Sequence, residues 1–202
     1  MVADVLGLMD ALQLPQAHVV GRSMGGMVAQ LLAGTAPQRV ASLVSIMSST
    51  GNPQLPQAAP EVMGLLMRPA PRLQDGEDAY AEHGLVFARR IASSGYPFDA
   101  AGQRELLLQE ARRAYDPAAT GRQVAAIAAT GDLRPWLARV TAPTLIVHGT
   151  DDVLIPLACG EDSAASIPGA QLLRVPGMGH DLPAALEATL VDAIAHNARR
   201  AG

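Results

Sequence analysis

One serine set among glycines, a pair of adjacent aspartates and a histidine in a glycine-rich loop follow one another along the chain in that order. Together they can do nucleophilic chemistry. Ser23 stands in GRSMGG, Gly21 to Gly26, between a strand-like apolar run, Ala17 to Val20, and a helix-like run, Met27 to Ala33. Strand, GxSxG and helix in succession form a sharp turn that lifts the serine above the end of the strand. Glycine is needed at that spacing because the serine backbone is strained, and side chains at Gly21 or Gly25 are expected to collide across the turn. Alone, the pentapeptide fits equally a turn with a helix-capping serine.

The acid and the base come later. Ala142 to Pro156, APTLIVHGTDDVLIP, reads as a β-branched strand over Thr144–Val147, a glycine turn, two aspartates and a proline able to open a helix. Leu172 to Pro183, LLRVPGMGHDLP, reads as a short strand and then a loop presenting His180 ahead of an apolar helix, Leu182 to His196. A serine hydroxyl is a poor nucleophile at neutral pH, so an imidazole must take its proton and later return it to the leaving group. A carboxylate orients that imidazole and stabilises its cationic form. Asp151 and Asp152 compete for this role.

GRSMGG, HGTDDVLIP and VPGMGHDLP together resemble the α/β-hydrolase superfamily, and the likeness runs from the first helix to the last. IASSGYPFD, Ile91 to Asp99, and the GMGHDLP loop are similar to the aclacinomycin methylesterase-like carboxylic ester hydrolases. Enol-lactonases and cofactor-free haloperoxidases share the same triad. The resemblance implies a parallel sheet flanked by helices with an inserted helical cap. It makes Ser23 the nucleophile, His180 the base, and Asp152 the acid, four residues before Pro156, with Asp151 capping the loop. It also implies that the backbone N–H of Met24 is one oxyanion donor.

Members of that superfamily carry further strands before the elbow strand, with an HGxP-like loop that supplies a second oxyanion donor. This chain starts about twenty residues before Ser23, with Val2, Val5, Leu6, Met9 and Leu12 at helical spacing. The expectation is therefore a partial fold lacking its first strands, in which the strand of Val19 and Val20 becomes an open edge, the chain being either a fragment of a longer gene product or paired with a second copy across that edge. A catalytically silent binding or oligomerising module is the alternative to an enzyme.

The remaining composition excludes whole mechanisms. The chain has no lysine, its fifteen basic residues all being arginine, so Schiff-base chemistry and a P-loop lysine are excluded. A single Cys159 excludes an internal disulfide and a multi-thiolate zinc site. Cys159 reads as a small buried residue. The other histidines, His18, His83, His148 and His196, lack ligand spacing, so neither metal nor cofactor is expected. A net charge of −4 without a basic stripe argues against nucleic acid as partner. No long apolar stretch suggests a membrane span, and Asp4 and Asp10 near the start do not fit a secretory signal, so the cytoplasm is the expected compartment.

Residues 1–50 and 132–202 read as the core. SSTGNPQLPQAAP marks an edge, and 51–131 reads as the helical cap. Met63, Met67, Phe87, Tyr96 and Phe98 are candidate substrate-lining residues, suited to a bulky apolar acyl or ring system, and the expected partner is a small apolar ester or lactone substrate. Met24 and Met178, beside nucleophile and base, are expected to touch ligand. Arg22, unusual within an elbow, is expected to pair with a carboxylate.

Overall fold

Four short apolar segments, each followed by a glycine-bearing turn or loop, form the strands. A computed structural model describes residues 1–202. The strands are β1 (Ala17–Arg22), β2 (Val40–Ile46), β3 (Thr144–Gly149) and β4 (Gln171–Val175). They form one parallel sheet in the order β1-β2-β3-β4. Parallel strands need crossovers, and these are helical. The helices around the sheet are α1 (Val2–Ala11), α2 (Met24–Thr35), α7 (Arg134–Leu137), α8 (Leu157–Ser166) and α9 (Glu187–Arg199).

Alternation along β2 and β3 feeds two cores. Leu43 and Ile146 join a cluster with Leu32 and Ala33 of α2, Leu137 and Ile167. Val44, Ile46, Leu145 and Val147 turn the other way, against Val175, Leu186 and Leu190. With both faces covered, all six residues of β3 are buried, which is why its sequence reads as a continuous apolar run. β1 lies at one edge, with alternate residues half-buried and exposed until Gly21; Val20 is 48% exposed. Near it, Leu8, Leu12 and Leu14 are exposed too.

Between β2 and β3 the chain is helical: α3 (Pro60–Met67), α4 (Glu77–Ile91), α5 (Ala100–Arg113) and α6 (Ala119–Thr130). Pro60 opens α3, where its missing N–H leaves no hydrogen bond unmade. Asp99 caps α5 by accepting from the Gly102 N–H at 2.9 Å. These helices form a lobe beside the sheet. The final helix starts later than its apolar pattern suggests: Pro183 precedes a short 3-10 turn, Ala184–Leu186, and α9 begins only at Glu187.

Candidate active site

The sheet places the three chemical residues just past the carboxyl ends of strands, where open parallel sheets bind ligands. Ser23 follows β1, its N–H extending the ladder by donating to the Ile46 carbonyl at 2.9 Å. It then has φ 53° and ψ −123°, the left-handed side of backbone space that a serine enters only under strain. Its side chain does not cap α2, contrary to the simple turn reading. Instead Ser23 Oγ lies 2.9 Å from His180 Nε2.

Gly21 is obligatory: a Cβ there would come within 2.2 Å of the Gly25 carbonyl oxygen. The expected crowding at Gly25 itself is absent, since an added Cβ there meets nothing within 4 Å. The crowding falls instead on Gly26, whose Cβ would sit 2.6 Å from that of Ser48. This close approach brings a buried polar brace under the elbow. Ser48 Oγ donates to the Ser23 carbonyl at 2.7 Å, and Gln30 Nε2 donates to Ser45 Oγ at 3.1 Å and Ser48 Oγ at 3.4 Å. A strained residue persists only where its surroundings over-determine it, and the brace does so here.

His180 Nδ1 lies 2.7 Å from Asp152 Oδ2, with both side chains almost wholly buried. With Nδ1–H donating to the carboxylate, Nε2 is left to accept the Ser23 proton. The other carboxylate oxygen, Oδ1, accepts from the N–H groups of Leu154 at 2.9 Å and Ile155 at 2.8 Å, fixing the acid on its turn. Asp151 points away and is exposed. It accepts hydrogen bonds from the hydroxyls of Ser94 and Thr150, which hold its carboxyl below the usual carboxylate range.

His148, given no ligand role by its spacing in the sequence, is wholly buried beneath the acid. Its Nε2 donates to the Ile155 carbonyl at 2.8 Å and lies 3.7 Å from Asp152 Oδ2. Burial lowers its pKa, so it stays neutral beside the carboxylate. Cys159 is buried nearby, and burial raises its thiol pKa.

The remaining candidates separate. The Met24 N–H opens α2, among the amides a helix leaves without an internal partner. Met24 lines an apolar cavity of about 160 Å³ with Met27, Leu31, Ile127 and Leu133, and none of the three chemical residues lines it. Met67 and Phe87 line a different cavity of about 780 Å³ inside the lobe, with Arg68, Tyr80, His83 and Tyr115; none of the three chemical residues reaches it. Met63 is half-buried on α3. Phe98 lies under the Arg89 guanidinium, 4.8 Å from ring centroid to Cζ. Tyr96 packs on the second core cluster and donates its hydroxyl to the Pro176 carbonyl at 3.2 Å.

Met178, expected to face ligand, is completely buried in that same core cluster. Its carbonyl accepts from the Asp151 N–H and so turns the side chain's loop inward. Arg22 pairs with no carboxylate; its Nη2 donates to the His180 carbonyl at 3.4 Å. No group of three or more His, Cys, Asp or Glu side chains is gathered to hold a metal ion, and no helix is long and apolar enough to cross a membrane.

A family model described as alpha/beta hydrolase fold matches residues 1–183. Rhodomycin D methylesterase of Streptomyces peucetius is 29% identical over the whole chain, which spans 73% of that relative. A 2-hydroxy-6-oxononadienedioate/2-hydroxy-6-oxononatrienedioate hydrolase of Cupriavidus pinatubonensis is 31% identical, with 86% of this chain and 59% of that protein aligned. Among solved structures, the meta-cleavage product hydrolase CumD of Pseudomonas fluorescens superposes with a TM-score of 0.75 at 19% identity. That match covers all of this chain and 71% of the other, and it speaks for the fold. The chain belongs to the α/β-hydrolase family.

Proposed function

We propose that this member of the α/β-hydrolase family is a serine hydrolase cleaving a small apolar carboxylic ester or lactone through an acyl-enzyme. The observation that carries the reading is the continuous hydrogen-bonded line from Ser23 Oγ through His180 to Asp152. In this mechanism His180 Nε2 takes the hydroxyl proton as Ser23 Oγ bonds to the acyl carbon. Asp152 holds the imidazole and stabilises it as it becomes cationic. His180 then returns the proton to the departing alkoxide, and water, activated by the same imidazole, releases the acid.

The Met24 N–H is the oxyanion donor in this reading, a role whose loss elsewhere costs about a hundredfold to a thousandfold in turnover. The helical lobe acts as the cap. Methyl ester cleavage by the Streptomyces relative supports an ester over other acyl compounds. The exposed outer side of β1, with Val20, supports a second copy of the chain as a partner. Light scattering would read that as a dimer mass.

A fluorophosphonate probe tests the chemistry. Wild-type protein is expected to be labelled at Ser23, with labelling abolished in Ser23→Ala and lowered at least a thousandfold in His180→Ala. A folded wild-type protein that the probe leaves untouched removes the reading.

A further inference from the structure

Beyond α4 the chain does not simply return to the sheet. It crosses the loop that carries His180 and binds it residue by residue. The Ile91 carbonyl accepts from the His180 N–H at 2.8 Å, and the Gly95 N–H donates to the Gly177 carbonyl at 2.9 Å. Between these two contacts sits Ser93, 8% exposed. Its hydroxyl accepts from the Gly179 N–H at 2.9 Å and donates to Asp181 Oδ1. Its own N–H donates to the same carboxylate oxygen at 2.8 Å.

Glycines make the contact close enough. A Cβ on Gly179 would lie 2.6 Å from the Ile91 carbonyl oxygen, and one on Gly95 would lie 3.0 Å from the Gly177 Cα. The same crossing touches the acid loop, because the Ser94 hydroxyl donates to Asp151.

We infer that Ser93 and Asp181 are positioning residues for the base: one serine grips the residues immediately before and after His180 and ties them to the end of α4. This inference rests on the hydrolase reading above. The imidazole must present Nε2 to Ser23 and Nδ1 to Asp152 at once, at 2.9 and 2.7 Å. A misplacement of about 1 Å in such a constellation costs on the order of a hundredfold in rate. Removing the Ser93 hydroxyl strips the Gly179 N–H of its acceptor and leaves Asp181 with one donor fewer, which frees the loop to shift.

The test compares Ser93→Ala, Ser93→Thr and Asp181→Asn with wild type. The readouts are fluorophosphonate labelling rate, kcat and KM on a p-nitrophenyl ester, and thermal midpoint. Ser93→Ala is expected to lower kcat and labelling about 10- to 100-fold with KM little changed. Ser93→Thr, which keeps the hydroxyl, should restore most of the rate. Asp181→Asn keeps an acceptor oxygen and should lose less than Ser93→Ala. Combining the two should cost less than the product of their separate effects, as expected for one shared contact.

Wild-type rates in a folded Ser93→Ala protein overturn the inference. So does a Thr variant as slow as the Ala one. If Ser93→Ala does not fold, Asp181→Ala, which removes the acceptor of both Ser93 donors, decides: a folded Ala variant at full rate refutes the grip. A wild type that takes no label at all counts against the hydrolase reading instead, so the two failures are distinguishable.

Discussion

β3 and α6 lie at opposite extremes of this molecule. Every residue of β3 is buried and packed on both sides, whereas α6 buries none. The contrast extends to their neighbourhoods. Around the sheet, two apolar clusters hold the strand ends from which Ser23, Asp152 and His180 project. In the lobe, few residues are buried, and helices are joined by exposed ion pairs, Arg90 with Glu61, Arg104 with Asp78 and Arg112 with Glu77. Exposed pairs contribute little to stability, while buried aliphatic side chains contribute most of it. Ser23, Asp152 and His180, which meet within hydrogen-bond distance, stand on the densely packed part.

Leucine truncation gives the sharpest measure of this difference. Leu32→Ala, at a fully buried position of α2, should cost about 2–5 kcal/mol in urea unfolding. Leu106→Ala on α5, where the side chain is 45% exposed, should stay within about 0.5 kcal/mol. Equal losses at the two sites would erase the distinction between the regions.

A smaller effect concerns pH. Burial lowers the pKa of His148 below its ordinary 6.5, so in the native state it resists a proton that the unfolded chain accepts. Its contribution is thus present in full above about pH 6.5 and is lost as acidity increases below that point. The thermal midpoint should fall from about pH 6.5 downward, and His148→Gln should flatten that slope. A slope identical in the variant would assign the acid sensitivity to other groups.

Smallest of all, Arg112→Ala should leave the unfolding midpoint nearly unmoved. Its guanidinium bridges α5 to Glu77 of α4 in solvent. A large drop would mean that surface ion pairs, not burial, hold the lobe.

That Ser23, Asp152 and His180 belong together was legible in the sequence because their signals are local, and the structure brings them within hydrogen-bond distance. Glycine spacing marks the elbow at Gly21, and the strand-to-loop transitions after Val147 and Val175 mark the other two. What stayed hidden depends on contacts between distant segments. Met178 lies beside the base in sequence, yet the bond between its carbonyl and Asp151 turns it into the core. Arg22 found a carbonyl 158 residues away. Ser93 sits in a segment whose resemblance was visible, but its grip on Gly179 and Asp181 crosses more than eighty residues, which no periodicity reports. Its one local hint is the matching glycines at 95, 177 and 179, small residues where two backbones meet.

The positive φ of Ser23 sets folding comfort against reactivity at one position. A glycine would rest easily in that torsion and relieve strain on the order of 1–3 kcal/mol. Under the proposed mechanism the same substitution would remove the attacking oxygen, so a torsion that suits glycine lies where a hydroxyl must face His180 Nε2.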